Sequence, residues 1–177
     1  MSLGSAVARL SDAERLLMLR VQHWTPQRWL RWWMLGATRA GDGWLWVLAG
    51  GAVLASGAEN SYRALGAAAA AVASGIALFS FLKRVVGRRR PSCIDQQCWH
   101  SLLPPDQFSF PSGHSITAFA VAVTLGSFYP PALIGLLVCA LSVAASRVVL
   151  GMHFLSDVVV GCLIGSTLGY LAFSLLG

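Results

Sequence analysis

Charge is what this sequence has least of. Only 11% of its 177 residues are Asp, Glu, Lys or Arg, against about 25% in typical soluble domains. The mean hydropathy is +0.65. That scarcity excludes a freely soluble domain and leaves a polytopic membrane protein, and the length suits one domain spanning residues 1–177. Internal repeats and low-complexity segments are also absent, apart from the alanine run at 67–71, which favours helix and close packing. A basic n-region, apolar core and small-residue cleavage site do not occur in order at the N-terminus, so no cleavable signal peptide is expected.

What is present is a set of apolar runs to be weighed against the roughly 20 residues that cross a bilayer. They cover Trp44 to Ala58, Ala64 to Leu82, His114 to Tyr129, Ala132 to about Leu150, and Phe154 to Leu176, with Pro130-Pro131 breaking the third from the fourth. The runs are too long and too unalternating for barrel strands, and lipid otherwise admits only helices. The fold class is therefore all-α, a bundle of about five transmembrane helices. Residues 1–40 differ. Ser11-x-x-Glu14 reads as a capping box opening a helix, and after Pro26 a second piece interleaves Trp29, Trp32 and Trp33 with Arg28 and Arg31. Mixed Trp and Arg suggest an amphipathic helix in the headgroup layer, the alternative being a helix packed on the bundle surface. Gly161, Gly165 and Gly169 recur every four residues on the fifth run. That stripe suits an internal seam or a homodimer seam, and internal packing is the expectation.

Against this background the polar groups of the second half stand out. Lys83 precedes Arg90-Pro91, Pro111-Ser112-Gly113-His114 follows, and Ser146-Arg147 leads to His153 and Asp157. Ionisable groups are expensive in a membrane and mark function there. Helices alternate direction, so the ends of the runs at Lys83, His114, Arg147 and His153 fall on one membrane face. Lys83 and Arg90 lie nearly two turns apart and share a direction if the helix continues to Pro91. Ser112 suits an N-cap, and Gly113 allows close backbone approach to a ligand. Arg147 adds a planar fork matched to phosphate oxygens. His153 and Asp157 are i, i+4, so the carboxylate can hold one imidazole nitrogen and leave the other free to attack. His114 can act as a proton donor.

Read apart from the rest, Lys83, Arg84, Arg88, Arg89 and Arg90 are a basic run for headgroups. A metal held by His114, His153 and Asp157 is disfavoured, because the surrounding cations would repel it. The spacing K-x6-R-P … P-S-G-H … S-R-x5-H-x3-D over residues 83–157 resembles the signature of the type 2 phosphatidic acid phosphatase (PAP2) family, integral-membrane lipid phosphatases related to vanadium haloperoxidases. The resemblance implies a metal- and cofactor-independent hydrolysis of a lipid phosphate. In it His153 is the nucleophile that becomes a phosphohistidine, Asp157 orients it and His114 is the general acid. Lys83, Arg90, Ser112, Gly113 and Arg147 would bind phosphate. Candidate substrates are phosphatidate, phosphatidylglycerol phosphate and undecaprenyl diphosphate. No nucleic acid is implied as partner. Phosphotransfer to a sugar acceptor, non-catalytic binding of anionic lipid and, remotely, haloperoxidase activity are the competing readings.

The loop from Ser92 to Phe110, with Leu102, Leu103, Phe108 and Phe110, is expected to govern substrate choice. His100, beside Trp99 and Asp106, is more readily an ordinary loop residue than a substrate contact, and His23 an interfacial one. On sidedness two signals disagree. If the amphipathic start stays on the side where the first run begins, all of the 13 Lys and Arg except Arg63 fall on the site-bearing side, which favours a cytoplasmic face of the cell membrane. Cys93 and Cys98, however, would suit a disulfide in an oxidising compartment, whereas Cys139 and Cys162 read as ordinary helix residues.

Overall fold

The computed structural model describes residues 3–91 and 107–177, with side chains from residue 12 onward except that of Gln22. The regular structure among these residues is helical: α1 (Leu3–His23), α2 (Arg28–Ala40), α3 (Trp44–Ala55), α4 (Ser61–Val86), α5 (Gly113–Phe128), α6 (Leu133–Val149) and α7 (Leu155–Leu176). One isolated antiparallel bridge joins Arg89 to Phe108. The five apolar runs become α3 to α7, and a 3-10 turn at Pro130–Ala132 separates α5 from α6 where two prolines interrupt the run. Three segments, Ser61–Val86, Pro130–Val149 and Leu155–Leu176, are long and apolar enough to cross a membrane. The helices α3 and α5 are shorter, at 12 and 16 residues.

The start of the chain departs from expectation. Helix α1 already runs from Leu3, because Ala6, Ala8, Arg9 and Leu10 are good helix formers, so Ser11 is not where it opens. Glu14 is buried and finds other partners. Helix α2 begins two residues after Pro26 and buries Met34 and Thr38. Met34 packs with Leu150 and Met152 beyond the end of α6, while Trp29, Trp32 and Trp33 stand exposed. The segment therefore combines both readings, one face docked on the bundle and an aromatic face left for the interface.

Helix α5 is central. It buries residues on every side, from Ser115 and Ile116 to Leu125 and Gly126, as a helix enclosed by others must. Small residues let its neighbours close on it. On α4, Ala64, Ala67, Ala68, Ala71 and Gly75 form a buried i, i+3, i+4, i+7 stripe. On α7 the three glycines face the α5 backbone. A Cβ at Gly161 would lie 2.8 Å from the Ser112 carbonyl oxygen, and one at Gly169 would lie 2.6 Å from that of Ala120. One at Gly165 would meet the Ile116 carbonyl. The glycine stripe is thus an internal seam. Large apolar side chains such as Leu48, Ile134, Leu163 and Leu175 point outward, as on a lipid-facing surface.

The seam makes a direct prediction. Gly165→Ala places a methyl group against a carbonyl that cannot yield without moving α5, and should cost about 1–3 kcal/mol, the usual range for overpacking. Thermal unfolding in detergent, followed by tryptophan fluorescence, should show a lower midpoint for Gly165→Ala. Gly66→Ala, where an added Cβ meets nothing within 4 Å, should leave it unchanged or raised.

Candidate active site

Each site residue reaches its place by a local device. Helix α4 stops at Val86 because Gly87 adopts φ +60° and donates its N–H to the Lys83 carbonyl. The helix does not continue to Pro91, so Arg90 does not share a helical face with Lys83. Residues 88–90 instead run beside 107–109. Ser109 N donates to Arg88 O at 2.8 Å, and Arg90 N donates to Gln107 O at 3.2 Å. A cis Phe110–Pro111 bond leads into Ser112 at the N-cap position of α5. At the end of α6, Gly151 at φ +64° turns the chain back. The Arg147 carbonyl then accepts the amides of Met152 and His153 at 3.0 and 3.1 Å, which holds His153 beside Arg147.

A cavity of about 370 Å³ lies where these ends meet. Lys83, Arg90, Gly113, His114, Arg147 and His153 line it, together with Asp42 and the apolar Ile76 and Phe79. The ends of α4 and α6 and the starts of α5 and α7 thus converge as helix alternation requires. Arg90 and Arg147 are buried. Arg147 Nη1 donates to Thr38 Oγ1 of α2 at 2.5 Å, and Lys83 Nζ lies 5.2 Å from the centre of the Phe79 ring. That ring also closes on Gly113, where a Cβ would stand 3.2 Å away. Asp157 and Ser112 lie behind the wall, both fully buried. Ser112 makes no side-chain cap bond. Its amide donates to the Asp157 carbonyl at 3.1 Å and its Oγ accepts from Ser115 Oγ at 3.0 Å, so it ties α5 to α7.

The His153 imidazole is held at both nitrogens. Nδ1 lies 2.7 Å from the Ser109 carbonyl oxygen, an acceptor only, so Nδ1 carries the proton. Nε2 lies 2.9 Å from Arg90 Nη1, a donor only, so Nε2 keeps its lone pair. Arg90 Nη1 also donates to the Met152 carbonyl at 2.8 Å. The carboxylate expected to grip the ring stands further off, with Asp157 Oδ2 at 3.8 Å from Nδ1. Oδ2 instead accepts the Phe154 amide at 2.9 Å, capping α7. Asp157 therefore supports the imidazole through its field, while a backbone carbonyl fixes the tautomer. Burial pushes the His153 pKa down to about 3, Arg90 and Arg147 reinforcing this and Asp157 opposing it. The ring is neutral at any physiological pH.

His114 meets a partner that sequence reasoning missed. Its Nε2 lies 2.8 Å from Asp42 Oδ1, in the turn between α2 and α3. Gly41 permits the approach, since a Cβ there would lie 3.3 Å from His114 Cδ2. One signal was available: Asp42, between Gly41 and Gly43, is one of seven acids in the whole chain. Ser109 gave none, because its carbonyl rather than its side chain acts. Residues 92–106 of the loop expected to choose substrate, with Cys93, Cys98, Trp99, His100 and Asp106, lie outside the described residues.

Comparison with known proteins points to one family. Residues 64–177 match the model of the PAP2 superfamily. The chain is 35% identical over 135 residues to decaprenylphosphoryl-5-phosphoribose phosphatase of Mycobacterium tuberculosis, covering 76% of this chain and 72% of that one. It is 34% identical over 93 residues to lipid A 1-phosphatase of Rhizobium johnstonii, covering 50% of this chain and only 38% of that longer protein. Among solved structures, the PAP2-type phosphatidylglycerolphosphate phosphatase of Bacillus subtilis superposes with a TM-score of 0.71 at 26% identity, covering 94% of this chain and 86% of the other. Aquifex aeolicus LpxE shares the fold, with a TM-score of 0.68 at 23% identity over 92% and 93% of the two chains. With the three signature segments assembled around one cavity and most of the chain matched, this membrane protein belongs to the PAP2 superfamily.

Proposed function

We propose that this chain is an integral-membrane lipid phosphatase that removes a terminal phosphate through a phosphohistidine at His153. The observation that carries the reading is the His153 ring, with Nδ1 bonded to a carbonyl and an unprotonated Nε2, met by Arg90, on the wall of a cavity bearing Lys83, Arg90 and Arg147. In the first step Arg90 Nη1 passes from Nε2 to the phosphoryl oxygens, and the Nε2 lone pair so released forms a bond to phosphorus. The P–O bond to the lipid breaks, and the departing oxygen takes the proton of His114. In the second step a water oxygen bonds to phosphorus as the P–N bond breaks, and its proton returns to His114. Lys83, Arg90 and Arg147 stabilise the charge spread over the phosphoryl oxygens in both steps. Gly113 keeps the cavity wall bare of a side chain, whereas Ser112 supports the site from behind. Asp42 holds His114 in orientation and partly offsets the burial and the Arg147 charge, which together work against its charged, proton-donating form.

The substrate class is a lipid phosphate whose tail stays in the bilayer. Phosphatidate, phosphatidylglycerol phosphate and undecaprenyl diphosphate remain candidates, and the relatives' names add lipid-linked sugar phosphates. Two contacts gather the basic α1 and α2 at the site's end of the bundle, Glu14 with Arg88 and Arg147 with Thr38. Under the positive-inside rule this supports a site on the cytoplasmic face of the cell membrane.

The test is inorganic phosphate release by the detergent-purified protein from a panel of these lipids in excess EDTA. Release that resists chelator and vanishes in His153→Ala is the expected result. No release from any lipid, with anionic lipids still bound equally by both proteins, would replace the reading with a binding module. Asp42→Asn should lower turnover about 10- to 100-fold, part of the range for general acid catalysis. It should also move the alkaline limb of the pH–rate profile to lower pH, because His114 loses the carboxylate that favours its proton.

Burial of neutral His153 also links folding to pH. The unfolded chain binds a proton there below about 6.5, while the folded chain does not until about 3. Stability is therefore full above that window and falls as pH drops through it, by at most about 1.4 kcal/mol per pH unit. His153→Gln should flatten that acid-side decline in thermal midpoint; an unchanged slope would assign it to other groups.

A further inference from the structure

Beyond the signature residues, a chain of charges runs out of the back of the site. Arg88 stands just past the Gly87 turn and is not among the signature positions. Its Nη1 donates to Asp157 Oδ1 and to Ser156 Oγ, each at 2.7 Å. Its Nη2 donates to Glu14 Oε2 of α1 at 2.8 Å. The guanidinium carbon lies 4.0 Å from the centre of the Phe154 ring, stacked on the residue that precedes α7. The other oxygen of Glu14, Oε1, accepts the Ser156 amide at 2.7 Å, one of the first-turn donors of α7 left without a helical partner. Glu14 is 8% exposed although Leu16, Leu17 and Leu19 beside it are exposed. An amphipathic helix that turns an acid inward and leaves leucines outside is unusual, and a buried carboxylate persists only where it is paired.

Each contact constrains the catalytic pair. Asp157 has two oxygens: one caps Phe154 and faces His153, and the other is fixed by Arg88. Arg88 is fixed in turn by the Phe154 ring and by Glu14. A fork that grips two carboxylates while lying flat on a ring is a task for arginine rather than lysine. Resting on the phosphohistidine reading above, we infer that Glu14 and Arg88 are positioning residues. They hold Asp157 charged and oriented behind His153, so that docking of α1 on the bundle is a condition for turnover.

Orthovanadate and inorganic phosphate separate this role from a structural one. Vanadate accepts the nucleophile's nitrogen as a fifth ligand, so its affinity reads the placement of Nε2, whereas phosphate needs only the cations of the cavity. Both affinities are to be measured on the full-length protein in detergent, by competition and by thermal shift. The variants are Glu14→Gln, Arg88→Gln, Arg88→Lys and the double Glu14→Gln/Arg88→Gln. In both single Gln variants vanadate affinity should fall about 10- to 100-fold, the range for groups that orient a ligand from behind, with phosphate affinity within about threefold. The double variant should be no worse than Arg88→Gln, since the two act in one chain, and Arg88→Lys should recover only part. On a lipid that the wild type hydrolyses, kcat should fall with vanadate affinity while KM stays near its original value. Vanadate binding unchanged in both Gln variants overturns the inference. Loss of vanadate, phosphate and thermal midpoint together also overturns it, in favour of a structural pin. If the wild type itself binds vanadate no better than phosphate, the nucleophile reading falls first and takes this inference with it.

Discussion

The structure turns on one neutral imidazole held between a carbonyl and a guanidinium. The Ser109 carbonyl fixes the proton on Nδ1 of His153, and Arg90 addresses the lone pair on Nε2. The two partners come from segments that run side by side, 88–90 and 107–109, so the pairing of these short stretches sets the ring's chemistry. If that pairing slipped by one residue, Arg90 would leave and the carbonyl would point elsewhere. The turn at Gly87 and the entry to α5 both serve to bring these two strands of chain together at the end of α4.

Around that ring the charges are divided by function. The cavity side carries Lys83, Arg90 and Arg147, which suit an anion entering from the membrane surface. The far side carries Asp157, then Arg88, then Glu14, alternating in sign away from the site. Alternation matters because several of these groups are buried in an apolar bundle, where an unpaired charge would either neutralise or destabilise the fold. Asp42 is the exception on the cavity side. It is half exposed and pairs with His114, the cavity group that the proposed mechanism uses as proton donor.

Much of this was legible in sequence because it rests on periodicity. The apolar runs located α3 to α7, the proline pair located the break before α6, and the glycine stripe marked the seam between α5 and α7. Converging helix ends followed from alternation alone, which is why Lys83, His114, Arg147 and His153 could be placed together. The misses are of another kind. Gly87 ended α4 early because a single left-handed residue outweighed the good helix formers after it. Asp157 was expected to hold the imidazole from i, i+4 spacing, but the same carboxylate is the natural cap of its own helix, and the nearer competitor won. Ser109 acts through its backbone, which no side-chain pattern records. Glu14 read as half of a capping box because the partner it meets lies 74 residues away.

These misses share a physical cause that bears on how the site is built. Long-period contacts within the bundle are made by small residues and shape, and they let α5 and α7 approach at backbone contact. Such packing places His114 and Asp157 but cannot choose a tautomer or hold a charge. Those tasks fall to polar groups on the short connections and on the two N-terminal helices: Thr38 on Arg147, Asp42 on His114, Glu14 on Arg88. Each of the three reaches the site from outside the α4–α7 bundle, so under the proposed mechanism the site geometry rests on α1 and α2 as well, even though the signature itself lies wholly within residues 83–157. A bundle stripped of its N-terminal helices would keep the signature residues near one another and lose the partners that hold them ready.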